Sequence, residues 1–273
     1  MGSEERDVGR RRRPRGWVAP GRWAVMTVAA VLAMAPAAAM HISDGVLSGG
    51  HSLLWFALCV PFLAIGMRAV NRRKAGNLNY VPLAAMVGAA VFILSVFHVP
   101  VVLVPGAGSS SHPTGGALAA IIVGPFPAMV LNSIALLLQA LFLAHGGLSS
   151  WGANTFSMGI VGVLVGYGAF RVLGRVGVPL FARAGTAAFL SNIATYAVAA
   201  FQLALDLHGT TPVGTTWAAL AVAYLPTQGP LAVLDFILAG YMCQFMAQRR
   251  PDIAGQIGLL EPGGRLKPAA QGG

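Results

Sequence analysis

The chain has 273 residues, of which 56% are hydrophobic and only 10% charged, against roughly a quarter charged in water-soluble domains. Too little polar surface is available to cover a water-facing globule, so a lipid bilayer is the natural solvent. The net charge of +10 does not indicate nucleic acid, because no basic patch is interleaved with aromatics on an amphipathic face.

Residues 1–39 read as a cleavable signal peptide. Arg10 to Arg13, Arg15 and Arg22 form a basic start, Trp23 to Met34 an apolar stretch, and Pro36-Ala37-Ala38-Ala39 supplies small residues at a cleavage site. Cleavage after Ala39 would leave Met40-His41 as the mature N-terminus. The alternatives are an uncleaved signal anchor or a true start at Met40.

Apolar segments follow near residues 52–70, 81–99, 115–124, 127–144, 155–173, 184–205 and 218–246. Between residues 40 and 246 every Lys and Arg falls in one of two clusters. The first is Arg68, Arg72, Arg73 and Lys74; the second is Arg171, Arg175 and Arg183. Arg249 and Arg250 follow the last segment. Basic loops stay in the cytoplasm, and six spans would put the second cluster outside. Counting the short 115–124 stretch as a span restores agreement, provided protein shields it from lipid. The expected fold is an all-α integral membrane protein of about seven transmembrane helices, N-terminus out and C-terminus in, in a bacterial cytoplasmic (inner) membrane. Residues 40–250 form its transmembrane domain, and the Gly- and Pro-rich residues 251–273 are expected to be a disordered cytoplasmic tail.

Chemistry is sparse. Cys59 and Cys243 sit inside apolar runs and read as small core residues. Asp235 interrupts an apolar segment and is by default a functional candidate, but one Asp is too little for a carboxylate relay, and pairing with a polar neighbour such as Gln228 explains it better. His41 stands apart. A free amine on Met40, the His41 peptide nitrogen and the His41 imidazole can close fused chelate rings on a cation that favours planar nitrogen ligation, such as nickel(II) or copper(II), with cobalt(II) accommodated. His112, in the small-residue loop Gly106–Gly116 on the same face, is the best fourth ligand, with Ser111 and Thr114 placed to orient its ring. A solvated loop histidine is the plainer reading of it. His145, before Gly146-Gly147, is a gate, a partner behind the ligands, or a helix cap. Asn154, Thr155 and Ser157 suit capping and interhelical hydrogen bonds, Asn154 with a possible place behind the ligands. His51, His98 and His208 read as interfacial. No P-loop sequence and no catalytic dyad or triad is present, so the chain reads as no enzyme and energy must come from other subunits.

Met40-His41-Ile42-Ser43-Asp44-Gly45-Val46-Leu47 resembles the opening of the CbiM/NikM family, the substrate-specific components of energy-coupling-factor cobalt and nickel transporters. Ser110–Gly115, Leu137–Leu141, Ala144–Leu148, Gly152–Met158 and Thr227–Ala232 resemble further family blocks in order. The resemblance implies a metal held by Met40, His41 and His112. It also implies cobalt or nickel as transported substrate without an organic cofactor, and partners comprising a transmembrane coupling (T) subunit, cytoplasmic ABC-type ATPases and in some systems a small accessory membrane subunit. A stand-alone secondary metal permease and a membrane metal sensor are the competing classes. The first lacks midplane ionisable groups other than Asp235, and the second lacks a following signalling domain.

Overall fold

The computed structural model describes residues 41–77, 79–96, 99–104, 107–257 and 259. The leader 1–39, Met40, His98 and the last residues 260–273 lie outside the described residues. Each expected apolar segment forms a helix. These are α1 (Gly49–Gly76), α2 (Tyr80–Val96), α3 (Gly116–Val123), α4 (Pro125–Phe142), α5 (Trp151–Arg175), α6 (Leu180–Leu207) and α7 (Val213–Arg249). Among the described residues, α1, α4, α5, α6 and the Gln228–Arg249 part of α7 are long and apolar enough to cross a membrane, while α2 is a shorter apolar helix.

The outward faces are apolar. Leu53 is 71% exposed, Met86 72% and Phe142 74%, surfaces that water would penalise and hydrocarbon accepts. Polar groups lie inside instead, where Asn132, Gln139, Asn192, Gln202 and Gln228 are all buried. In lipid the apolar effect cannot draw helices together, so close packing and interhelical hydrogen bonds must do so. Helix α3 is too short to cross hydrocarbon, at about 12 Å. Every one of its residues is buried, packed between α2, α4, α5 and α6.

Two features depart from the sequence reading. The segment expected to end the second span leaves the helix at Val96 and continues as an antiparallel hairpin, β1 (Val99–Val104) and β2 (Ala107–Ser111), with Val99 opposite Ser111. Valine-rich sequence favours extended backbone, and the hairpin delivers the chain to His112. The stretch expected to be disordered from residue 251 begins instead with a helix, α8 (Pro251–Gln256), and Leu259 is buried. Pro251 occupies the first turn, where a missing N–H costs nothing.

Within α5, residues Thr155–Gly162 take the wider π-helical winding before regular α-helix resumes at Val163. The basic clusters share one end of the bundle. Arg73, at the end of α1, donates to the Val123 carbonyl that closes α3. Arg183 donates to the Leu259 carbonyl at 2.7 Å and lies over the Phe170 ring at 4.6 Å, and Arg250 begins α8. The N-terminal segment and the loops at the starts of α3 and α5 lie at the other end.

Candidate metal centre

At that other end, residues 41–48 run across the bundle before α1 begins. Ile42 and Leu47 are buried in a cluster with Trp55, Ala153, Tyr196 and Tyr224. Polar contacts pin the segment further. Asn154 grips Ile42 at both ends of its backbone: its Oδ1 accepts from the Ile42 N–H at 2.8 Å and its Nδ2 donates to the Ile42 carbonyl at 3.1 Å. Ser150 also donates to that carbonyl. Asp44 accepts from the Ser149 N–H at 2.7 Å and the Ser149 hydroxyl at 2.6 Å, and these bonds hold its carboxyl below the usual carboxylate range against the opposing effect of burial. Asp206 at the end of α6 accepts from the Ser48 hydroxyl at 2.8 Å and pairs with His51 at 2.7 Å.

This clamping sets the His41 imidazole among two others. His41, His112 and His145 are each buried, and one potential ligand atom from each lies within 4.8 Å of the rest. Ring centroids are 5.1 Å apart for His41 and His112, 5.0 Å for His41 and His145, and 5.4 Å for His112 and His145. Burial, and then the neighbouring His145 and His112 rings, push the His41 pKa well below the ordinary histidine value, with a hydrogen bond to Gln139 acting the other way. His41 is therefore neutral at physiological pH, the form a metal ion requires.

Ring nitrogens are assigned from the acceptors they face. His112 Nδ1 is 2.7 Å from the Pro113 carbonyl, which can only accept, so Nδ1 carries the hydrogen and Nε2 the lone pair. His112 Nε2 lies 3.2 Å from His41 Nε2. His41 Nε2 is 2.8 Å from Gln139 Oε1. The amide is oriented from behind: Ser95 Oγ donates to the Phe92 carbonyl at 2.6 Å and so accepts from Gln139 Nε2, also at 2.6 Å. Gln139 also serves His145, whose backbone N–H returns to the Gln139 carbonyl at 3.2 Å where α4 ends. The turn there passes through Ala144 and Gly146, both at positive φ. A Cβ on Gly146 would stand 2.8 Å from the His41 Cβ, and one on Gly147 would collide with Asp44, so this turn closes over the histidine segment only because Gly146 and Gly147 carry no side chains.

The His112 loop rests on Asp235. Its Oδ2 accepts from the Thr114 N–H at 3.1 Å, the Thr114 hydroxyl at 3.2 Å and the Asn192 amide at 2.9 Å. The buried carboxylate is thus tied to the loop and to α6.

Of the residues singled out in the sequence, His41, His112 and His145 come together. Asn154 and Thr114 brace the segments on either side of them. Met40 and the Ser111 side chain lie outside the described residues. His51 pairs with Asp206 at the rim, and His208 hydrogen-bonds the Thr211 carbonyl at 3.1 Å on the surface. Cys59 and Cys243 are free and buried. Gln139 was given no role beforehand although it lies in the Leu137–Leu141 block, because an amide in the apolar run of α4 looks like ordinary interhelical bonding.

Comparison with known proteins gives a consistent picture. Residues 41–253 match CbiM, described as a cobalt uptake substrate-specific transmembrane region. A cobalt transport protein CbiM of Geobacter sulfurreducens is 42% identical over 237 residues, covering 87% of this chain and 68% of that one. Another, of Sorangium cellulosum, is 41% identical over 231 residues, covering 85% and 100% respectively. A crystal structure of a transition metal transporter superposes with a TM-score of 0.67 at 25% identity, covering 81% of this chain and 100% of that one.

Proposed function

The chain belongs to the CbiM family of cobalt-uptake substrate-specific transmembrane regions, and on that premise we propose that it captures a divalent cobalt or nickel ion through nitrogen ligands. Those ligands are the Met40 amine freed by cleavage, the His41 peptide nitrogen and imidazole, and the His112 imidazole. The observation that carries the reading is the convergence of three buried imidazoles, with His41 held neutral, at the end of the bundle away from its arginines. Nitrogen donors suit cobalt, nickel and copper rather than calcium or magnesium.

The basic end faces the cytoplasm in this reading, and the histidine end faces outward. Capture then occurs outside, and a transmembrane coupling subunit with cytoplasmic ABC-type ATPases drives release. A stand-alone permease is the competing reading. Uptake of radioactive cobalt by cells expressing the chain with its partners tests both. His41→Ala and His112→Ala should abolish uptake with membrane insertion unchanged, and normal uptake by either variant refutes the site. Uptake in cells lacking every coupling ATPase would support the permease. N-terminal sequencing of the mature chain must find Met40 first.

A further inference from the structure

At the basic end of the bundle a cleft of about 580 Å³ opens between the ends of α1 and α3, the start of α2, the middle of α5 and helix α8. Its lining divides by chemistry. Arg73, Asn77, Asn79, Tyr80 and Arg250 supply polar groups, whereas Leu83, Ile121, Ile122, Ile253 and Ile257 form apolar wall. Its one carboxylate, Asp252, is already engaged: Arg250 grips it with two bonds of 3.0 and 2.8 Å. Arg73 has no carboxylate partner among the described residues. Its guanidinium donates to the Val123 carbonyl and lies over the Tyr80 ring at 5.8 Å. Tyr80 is 6% exposed, and its hydroxyl faces the Arg73 guanidinium, which acts on it by charge and as a hydrogen-bond donor. An uncompensated cation and a buried hydroxyl line the same space.

We propose that this cleft binds the headgroup of an anionic phospholipid, with the phosphate on the Arg73 guanidinium and on Arg250 Nη1, the terminal nitrogen that Asp252 does not take, and the first acyl carbons along Leu83, Ile121 and Ile122. The guanidinium is the side chain best matched to phosphate geometry. Its position at the end of an apolar bundle places it at the depth of lipid phosphates, and basic pockets between helices on the cytoplasmic side are a recurring form of headgroup site. The apolar wall distinguishes a lipid from free phosphate, which has nothing to place there. The volume exceeds what a bare phosphate fills and lies in the range of small-molecule sites. The proposal requires only that the chain lies in a membrane and does not depend on the metal site.

The test uses the full mature chain in nanodiscs. Thermal melting and native mass spectrometry would compare phosphatidylglycerol with phosphatidylcholine, and with inorganic phosphate added to phosphatidylcholine discs. Phosphatidylglycerol should raise the melting temperature and remain bound through mass analysis, while the other two should do neither. Tyr80→Phe and Arg250→Gln should each weaken phosphatidylglycerol binding, the latter roughly tenfold for one lost charge-assisted bond. Arg73→Gln should weaken it too, but Arg73 also caps α3, so Arg250→Gln is the variant on which the outcome turns. Equal stabilisation by phosphatidylcholine, or undiminished binding by Arg250→Gln, overturns the proposal. A full effect of inorganic phosphate alone overturns the lipid as ligand.

Discussion

Gln139 faces His41 Nε2 across 2.8 Å with its carbonyl oxygen, and that bond decides which nitrogen of the ring is left for a metal. With the hydrogen held at Nε2, the lone pair sits on Nδ1. Nδ1 is the nitrogen that can close a six-membered ring with the residue's own peptide nitrogen, whereas Nε2 lies on the far side of the imidazole. Gln139→Leu should therefore lower cobalt affinity about 10- to 100-fold, the usual cost of losing a partner behind a ligating histidine. Gln139→Glu, which retains an acceptor, should lose less. Isothermal titration of the purified protein checks both.

His145 completes the cluster but is absent from the proposed set of four nitrogens. His145→Ala should leave the visible absorption band of planar nitrogen-ligated nickel in place, whereas His112→Ala should remove it. Loss of the band in both variants would make His145 a ligand.

The grip of Asn154 on Ile42 is the polar staple of the N-terminal segment. Asn154→Ala removes two hydrogen bonds and leaves a buried N–H without its acceptor, a cost of about 1–3 kcal/mol. Amide exchange over residues 41–48 should accelerate in this variant ahead of exchange in the helices, and metal affinity should fall with it.

Acid should loosen the same segment. The Asp44 carboxyl titrates below its ordinary value because Ser149 bonds its ionised form. A depressed carboxylate contributes stability that is fully present above the unfolded value, near 3.9, and lost as pH falls through the folded one. The melting temperature of wild type should thus exceed that of Asp44→Asn at pH 6, with the gap closing below about pH 4. A gap constant from pH 6 to pH 3 would assign it to packing instead.

Asp235 should prove structural through the His112 loop. Asp235→Leu leaves the Thr114 N–H and the Asn192 amide buried without their acceptor, at about 1–3 kcal/mol each, while Asp235→Asn keeps an acceptor oxygen and should melt closer to wild type. If Asp235→Leu melts normally yet transports nothing, the carboxylate acts in transport directly.

How much of this was legible beforehand varies by residue. The helices were, because apolar runs of spanning length have few alternatives in lipid, and α3 was found from charge bookkeeping alone. The hairpin was not: Val99–Val104 continues the hydrophobicity of α2, and only its β-branched run before Gly106 signalled extended chain. The Gly- and Pro-rich composition of 251–273 pointed to disorder, whereas Pro251 starts α8. His41 and His112 stood out through chelate chemistry and the family resemblance. His145 had several readings, since sequence cannot say that one turn after α4 and one loop after β2 meet. Gln139 lay within the Leu137–Leu141 block but had no assigned role for the same reason: its significance lies wholly in what it faces. Asp235 was rightly expected to have polar neighbours, but its donors are Thr114 and Asn192.

The π-wound stretch Thr155–Gly162 has a bearing on how α5 came to be and how it can be altered. Such winding spends one more residue per hydrogen-bonded loop than α-helix does, as an inserted residue in a pre-existing helix would. Excising one residue from 155–162 would let the ordinary ladder close while leaving everything from Val163 onward in roughly its present angular phase relative to Asn154, because the wide winding already absorbs the roughly 100° that a residue adds to α-helix. The two halves of this helix answer to different masters, one to the N-terminal strap and the other to α3 and α6, and both keep their faces after such an excision. A single-residue deletion here should therefore be far less damaging than one in the regular α-helix after Val163.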